Sequence, residues 1–170
     1  MSNPAPVATF LDTVSPQYLM PSSRAYAGVI AYANGAYAWP QDQVDAFHKA
    51  GKRIHKYDVN GRAVQLADVL DVERYDASPA DAPAWVDERW ETHSTAAVYC
   101  SLSNVPAVTG ELGARPCYLI VADWTGVPHI PDLKLPPRIV LAGVQFATNN
   151  FYDSVAIYSR PWLEGARIPL

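Results

Sequence analysis

Asp71 and Glu73 stand two residues apart at the end of an apolar run, Ala-Asp-Val-Leu-Asp-Val-Glu, from Ala67 to Glu73. Side chains alternate along a strand, so residues two apart share a face. Both carboxylates are therefore expected to point the same way from the strand's carboxyl end. Two acids crowded in a concave, partly dry site acquire different pKa values. Glycoside hydrolysis needs that splitting, with one protonated acid and one ionised partner. An isolated D-x-E also ends many ordinary strands as a pair of solvated acids, so its weight depends on the rest of the chain.

Eight short segments have the β-branched and aromatic content of strands and are bounded by Gly, Pro, Asn or Asp. They are Val7 to Asp12, Gly28 to Ala33, Arg53 to Asp58, Ala67 to Glu73, Ala96 to Leu102, Tyr118 to Trp124, Ile139 to Phe146 and Ser154 to Ser159. Helical spacing appears between some of them. Pro40 to Ala50 places Val44, Phe47 and Ala50 on one face and stops at Gly51. Ser78 to Thr92 opens with Ser78 as N-cap and Pro79 at the first turn. Val105 to Leu112 ends at Gly113, and Pro16 to Ala25 holds at most a turn. After Trp124 the helices stop: Thr125 to Arg138 carries four prolines. Ala147 to Asp153 is too short for a parallel crossover, so the last two strands are expected to be antiparallel. The pattern predicts an α/β fold, a flattened TIM-like β/α barrel of about eight short strands with helices mainly in the first five units. One domain, 1–170, is expected, with 160–170 as an extended C-terminal strap that packs along the barrel or docks onto a partner.

In such a barrel, chemistry gathers at the carboxyl ends of the strands. Those ends are polar here: Asp12, Tyr32, Tyr57, Asp71 with Glu73, Tyr99, Asp123 with Trp124, and Gln145. If the eighth strand runs the other way, its opening residue, Asp153, reaches the same rim. Carboxylates edged by tyrosine and tryptophan suit a sugar, whose apolar faces stack on aromatic rings while its hydroxyls take polar partners. Asp12, Asp71, Glu73 and Asp153 are the catalytic candidates. Tyr32, Tyr57, Tyr99, Asp123, Trp124 and Gln145 are the substrate-binding candidates. Trp39, Trp85 and Trp90 fit packing roles on or beside helices.

Other chemistries find little support. The four histidines (His48, His55, His93, His129) form no H-x-H or H-E-x-x-H pattern, so no metal site is predicted. Neither G-x-S-x-G nor G-x-G-x-x-G occurs, and no cofactor is expected. A net charge of −4 without a basic stripe argues against nucleic acid, and no run is apolar enough to span a membrane. The opening Met-Ser-Asn-Pro-Ala-Pro has no basic and apolar leader pattern, which leads to an expectation of synthesis in a cytoplasm without a signal peptide. Cys100 and Cys117 fall at opposite ends of neighbouring strands, roughly 15 Å apart at about 3.3 Å per residue, and are expected to be free thiols.

Taken in order, Asp12, the LDVE of Asp71 and Glu73, Val-Ala-Asp-Trp, Gly-Val-Gln-Phe and Asp153 resemble the motifs of the family-25 glycoside hydrolases, the Chalaropsis-type lysozymes of phages and bacteria. The resemblance covers most of the chain. It implies a flattened barrel of five βα units followed by three strands. It also implies cleavage of the β-1,4 bond after N-acetylmuramic acid, with cell-wall polysaccharide as partner. By the same resemblance Glu73 is the general acid, and Asp71 orients the N-acetyl group or stabilises the oxocarbenium-like state. Asp12 and Asp153 tune pKa values and hold hydroxyls. The chain departs from the family pattern in being short and in opening with Phe-Leu-Asp-Thr. Only Asn60 to Leu66 fill the place of a helix between the third and fourth strands. The compact form is phage-like in character. This keeps a second expectation open: a non-catalytic virion or wall-binding module, meeting other virion proteins through the C-terminal strap. A chitinase-like barrel fits less well, because Asp68 falls at the wrong offset from Glu73 for the fuller acidic motif.

Overall fold

The computed structural model describes residues 4–168. The first three residues of the N-terminal motif and the last two of the 160–170 strap lie outside the described residues. Eight strands close into a barrel in sequence order. They are β1 (Ala8–Asp12), β2 (Gly28–Tyr32), β3 (Arg53–Asp58), β4 (Val69–Val72), β5 (Ala97–Ser101), β6 (Cys117–Ala122), β7 (Ile139–Thr148) and β8 (Asp153–Ile157). Neighbours from β1 to β7 are parallel, whereas β8 runs antiparallel to both β7 and β1. The expected reversal of the last strand is therefore present, and it puts Asp153 level with Asp12 across the β1–β8 ladder.

Helices fall where the spacing predicts them: among the described residues, full α-helices of the first five units follow β2, β4 and β5, as α1 (Gln41–Lys49), α2 (Ala82–Thr92) and α3 (Val105–Leu112). The first unit has one 3-10 turn, Pro16–Tyr18. Ser78 donates its backbone N–H and its hydroxyl to the Asp81 carboxylate, and a 3-10 turn at Pro79–Asp81 leads into α2. The expected extended strap instead opens with a helical turn, α4 (Arg160–Leu163), whose Ser159 hydroxyl accepts the Trp162 N–H.

The β3–β4 connection holds without a helix because two buried polar groups organise it. Asp58 Oδ1 accepts from Asn34 Nδ2 at 2.7 Å and from the backbone N–H groups of Asn60 and Arg62 at 3.2 Å. Its Oδ2 accepts from Ala63 N at 2.7 Å and Trp85 Nε1 at 2.9 Å. Arg89, on α2, donates to Val64 O, Thr95 O and Asp68 Oδ1. A fully buried carboxylate thus gains five donors, and the loop's backbone is satisfied without helical hydrogen bonds.

Alternation along the strands divides the core. Leu70, Val72, Val98, Cys100, Leu119 and Val121 face outward beneath α2 and α3, while Phe10, Ile30, Val69, Tyr118, Ile120, Val155 and Ile157 fill the barrel. Gly28 has to lack a side chain: a Cβ there would sit 2.5 Å from both the Phe10 ring and Arg53 O. Trp162 of α4 plugs the end where the parallel strands begin and stacks on His55 at 4.2 Å. Both cysteines are buried and free.

Candidate active site

Inward-facing residues near the carboxyl ends of the parallel strands, and the first residue of the antiparallel β8, come to the barrel mouth. In strand order they are Asp12, Tyr32, Tyr57, Asp71, Tyr99, Ala122, Gln145 and Asp153. A closed barrel converts eight scattered strand ends into one ring, which is why residues as distant as Asp12 and Gln145 meet. Gln145 is the hub. Its Nε2 donates to Asp153 Oδ2 at 2.8 Å and to Asp12 Oδ2 at 3.3 Å, and its Oε1 accepts from the Tyr99 hydroxyl. A bulge in β7 just after Gln145 shifts the β7–β8 register at this point.

Asp71 is only 3% exposed and Asp12 only 4%, whereas Glu73, one residue past the end of β4, is exposed. Among the described residues, neither Asp71 Oδ1 nor Asp12 Oδ1 finds a hydrogen-bond partner. A buried carboxylate oxygen without a donor is costly. Burial favours the protonated form of each. Burial, reinforced by the charge of Asp153, pushes Asp12 up to about 8. Burial and then the neighbouring Glu73, Asp12 and Asp76 hold Asp71 well above the usual carboxylate range. Glu73 is raised by partial desolvation and by Asp76 and Asp153, while the Tyr99 hydroxyl pulls it back. Asp153 is raised by burial, against Thr148 and Gln145.

Two cavities adjoin at the barrel mouth. A cavity of about 480 Å³ is lined by Asp71, Glu73, Asp76, Tyr32, Tyr37 and Tyr75, among others. A smaller one of about 200 Å³ is lined by Asp12, Asp153, Thr13, Asn149, Phe151 and others. Tyr32 and Val14 border both. The larger volume falls within the range of about 300–1,000 Å³ for small-molecule sites. One oxygen each from Asp71, Glu73 and Asp76 lies within 4.8 Å of the others.

Of the four catalytic candidates, Asp71 and Glu73 line the larger cavity and Asp12 and Asp153 the smaller, and the substrate-binding candidates divide further. Tyr32 borders both cavities. Tyr57 is 0% exposed and its hydroxyl has no partner, so the expectation that it touches sugar is corrected: its ring packs inside the barrel against Tyr32 and Tyr99. Tyr99 and Gln145 are also buried, and they act on the carboxylates from beneath. Asp123 and Trp124 border a separate cavity of about 410 Å³ with Ser101, Leu102 and Ser103. Asp123 Oδ2 is already taken by His129 Nε2 at 2.7 Å, while Trp124 is 52% exposed and open to a ligand. Tyr37, Tyr75 and Asp76 are among the groove residues that the sequence reading missed. Asp76 lies three residues beyond Glu73, and that proximity was its only signal.

No protein-family model matches the chain, and no curated protein matches it. Among solved structures, the bacterial lysozyme from Streptomyces coelicolor is similar, with a TM-score of 0.55 over 89% of this chain and 92% of that one, at 15% sequence identity. At that identity the likeness shows the fold, and the chain is a lysozyme-like α/β barrel of eight strands.

Proposed function

We propose that the protein is a glycosidase of the N-acetylmuramidase type that cleaves bacterial cell-wall peptidoglycan. One observation carries the reading: a half-desolvated, exposed Glu73 and a buried, donorless Asp71 lie side by side in one open groove. Glu73 is the general acid, since its raised pKa keeps it protonated closer to neutral pH than an ordinary glutamate. It gives its proton to the glycosidic oxygen as the bond from that oxygen to the anomeric carbon breaks. The substrate's acetamido oxygen attacks the anomeric carbon from the other face. Asp71 accepts the acetamido N–H. That donor is the one its carboxylate lacks in the protein, and the hydrogen bond favours the ionised form, so Asp71 gives its proton to solvent as the substrate binds and carries negative charge when positive charge develops on the acetamido group. Water then attacks the anomeric carbon and returns a proton to Glu73, so anomeric configuration is retained. The closeness of Asp71 and Glu73 supports this course, because an inverting pair stands about 6.5–9.5 Å apart to admit a water.

Gln145 ties Asp12 and Asp153 into a fixed polar wall that receives sugar hydroxyls. The alternative of a non-catalytic virion or wall-binding module calls for a blocked groove, or for a large contact surface made by the tail from Arg160 to Leu170 and the proline loop after Trp124. The open cleft at Glu73 favours the enzyme instead. The test is digestion of purified walls with mass analysis of soluble fragments. New reducing ends on N-acetylmuramic acid are expected, and new ends only on N-acetylglucosamine would contradict the assigned bond.

A further inference from the structure

The residues from Glu73 to Asp76 form a tight turn in which Asp76 N donates to Glu73 O at 3.2 Å. Tyr75 occupies its third position with φ 79°, and it is the one non-glycine residue with positive φ among those described. This is the conformation a type II turn requires there, and the position ordinarily belongs to glycine or asparagine. A bulky aromatic in the left-handed region is strained, and such strain clusters at functional sites. The fold gains no burial in return, since Tyr75 is 88% exposed. Its ring borders the cavity that holds Asp71, Glu73 and Asp76, with Tyr37 on the same cavity. The Arg74 guanidinium, which does not line that cavity, lies over the ring 4.8 Å from its centroid. The cation thus covers one face of an otherwise exposed ring.

We infer that Tyr75 is a specificity-determining residue, a stacking platform for the apolar face of a pyranose ring bound next to the glycosidic oxygen that Glu73 protonates. The assignment deepens the glycosidase reading and rests on it for the identity of the sugar. Aromatic rings suit this task because they offer a flat apolar surface at low rotamer cost. A residue kept for ligand contact at the expense of its own backbone makes a two-sided prediction that a structural residue does not. Removing it relaxes the fold and weakens the complex.

The experiment compares Tyr75→Gly and Tyr75→Phe, each in the Glu73→Gln background, which blocks turnover. The probe is a peptidoglycan tetrasaccharide of alternating N-acetylglucosamine and N-acetylmuramic acid, titrated by calorimetry, with thermal unfolding measured alongside. Tyr75→Gly is expected to weaken binding about tenfold while Tm stays level or rises by about 2–4 °C. Tyr75→Phe keeps the ring and is expected to bind within about twofold of the parent. Unchanged binding in Tyr75→Gly overturns the assignment, as does weakened binding accompanied by a lowered Tm. Because binding is read without turnover, a protein that binds the tetrasaccharide through Tyr75 but never cleaves wall would sink the glycosidase reading and leave the platform standing. A parent protein that binds no tetrasaccharide sinks the platform.

Discussion

Asp12 and Asp153 face each other across the β1–β8 ladder as direct register partners, and Gln145 Nε2 donates to both carboxylates. Two acids placed opposite one another on a sheet repel. The shared amide offsets part of that repulsion, and the proton held by Asp12 offsets the rest.

That proton links pH to stability. The folded-state pKa of Asp12, about 8, lies far above its ordinary 3.8. Between those values the folded protein holds a proton that the unfolded chain has released, so stability falls as pH rises. One such proton contributes a slope of at most about 1.4 kcal/mol per pH unit. Asp12→Asn removes it. The variant is expected to lose less Tm than the parent between pH 5 and pH 8 and to be more stable at pH 8 by about 1–2 kcal/mol. Parallel Tm–pH curves for the two proteins would count against a protonated Asp12.

Glu73 is held between opposing neighbours, and the two can be separated. Asp76 raises its pKa by like charge, and Tyr99 lowers it through its hydroxyl. A general acid loses activity as pH rises through its pKa. Asp76→Asn should therefore move the basic limb of the kcat–pH profile to lower pH, and Tyr99→Phe should move it to higher pH. Shifts in the same direction, or none, would remove Glu73 as the group that sets this limb.

Asp58 predicts stability rather than catalysis. It is wholly buried, accepts five hydrogen bonds and stands in for the absent helix between β3 and β4. Asp58→Ala leaves two buried donors, Ala63 N and Trp85 Nε1, unpaired and should cost about 3 kcal/mol. For a chain of this size that lowers Tm by roughly 6–12 °C. Asp58→Asn keeps the acceptor oxygen and should cost about half as much. A Tm for Asp58→Ala within 2 °C of the parent, by calorimetry at about pH 7, would show that other contacts hold the loop.

Much of this was legible in the residues. The run Cys117 to Ala122 is continuously apolar because both its faces are covered, and its boundaries fell within a few residues of those expected. The period of two placed Asp71 inward with Val69, and the short Ala147 to Asp153 link required the reversal of β8. Depth within the ring was not legible. Tyr57 and Tyr32 share a periodicity argument, yet one is fully buried and the other borders the groove, a difference set by the packing of Tyr99 and Tyr32 around Tyr57. The role of Asp58 depends on Trp85, 27 positions away, which no local motif announces. Tyr75 was invisible because its signal is a backbone angle rather than a residue pattern.

The most direct measurement of the central claim is the initial rate of clearing of a bacterial wall suspension by the parent protein and by Glu73→Gln, with both confirmed as folded by matching unfolding curves. The account predicts clearing by the parent and a rate lower by about 10²–10⁴ in the variant, the range expected for loss of a positioned general acid. Equal rates would contradict it.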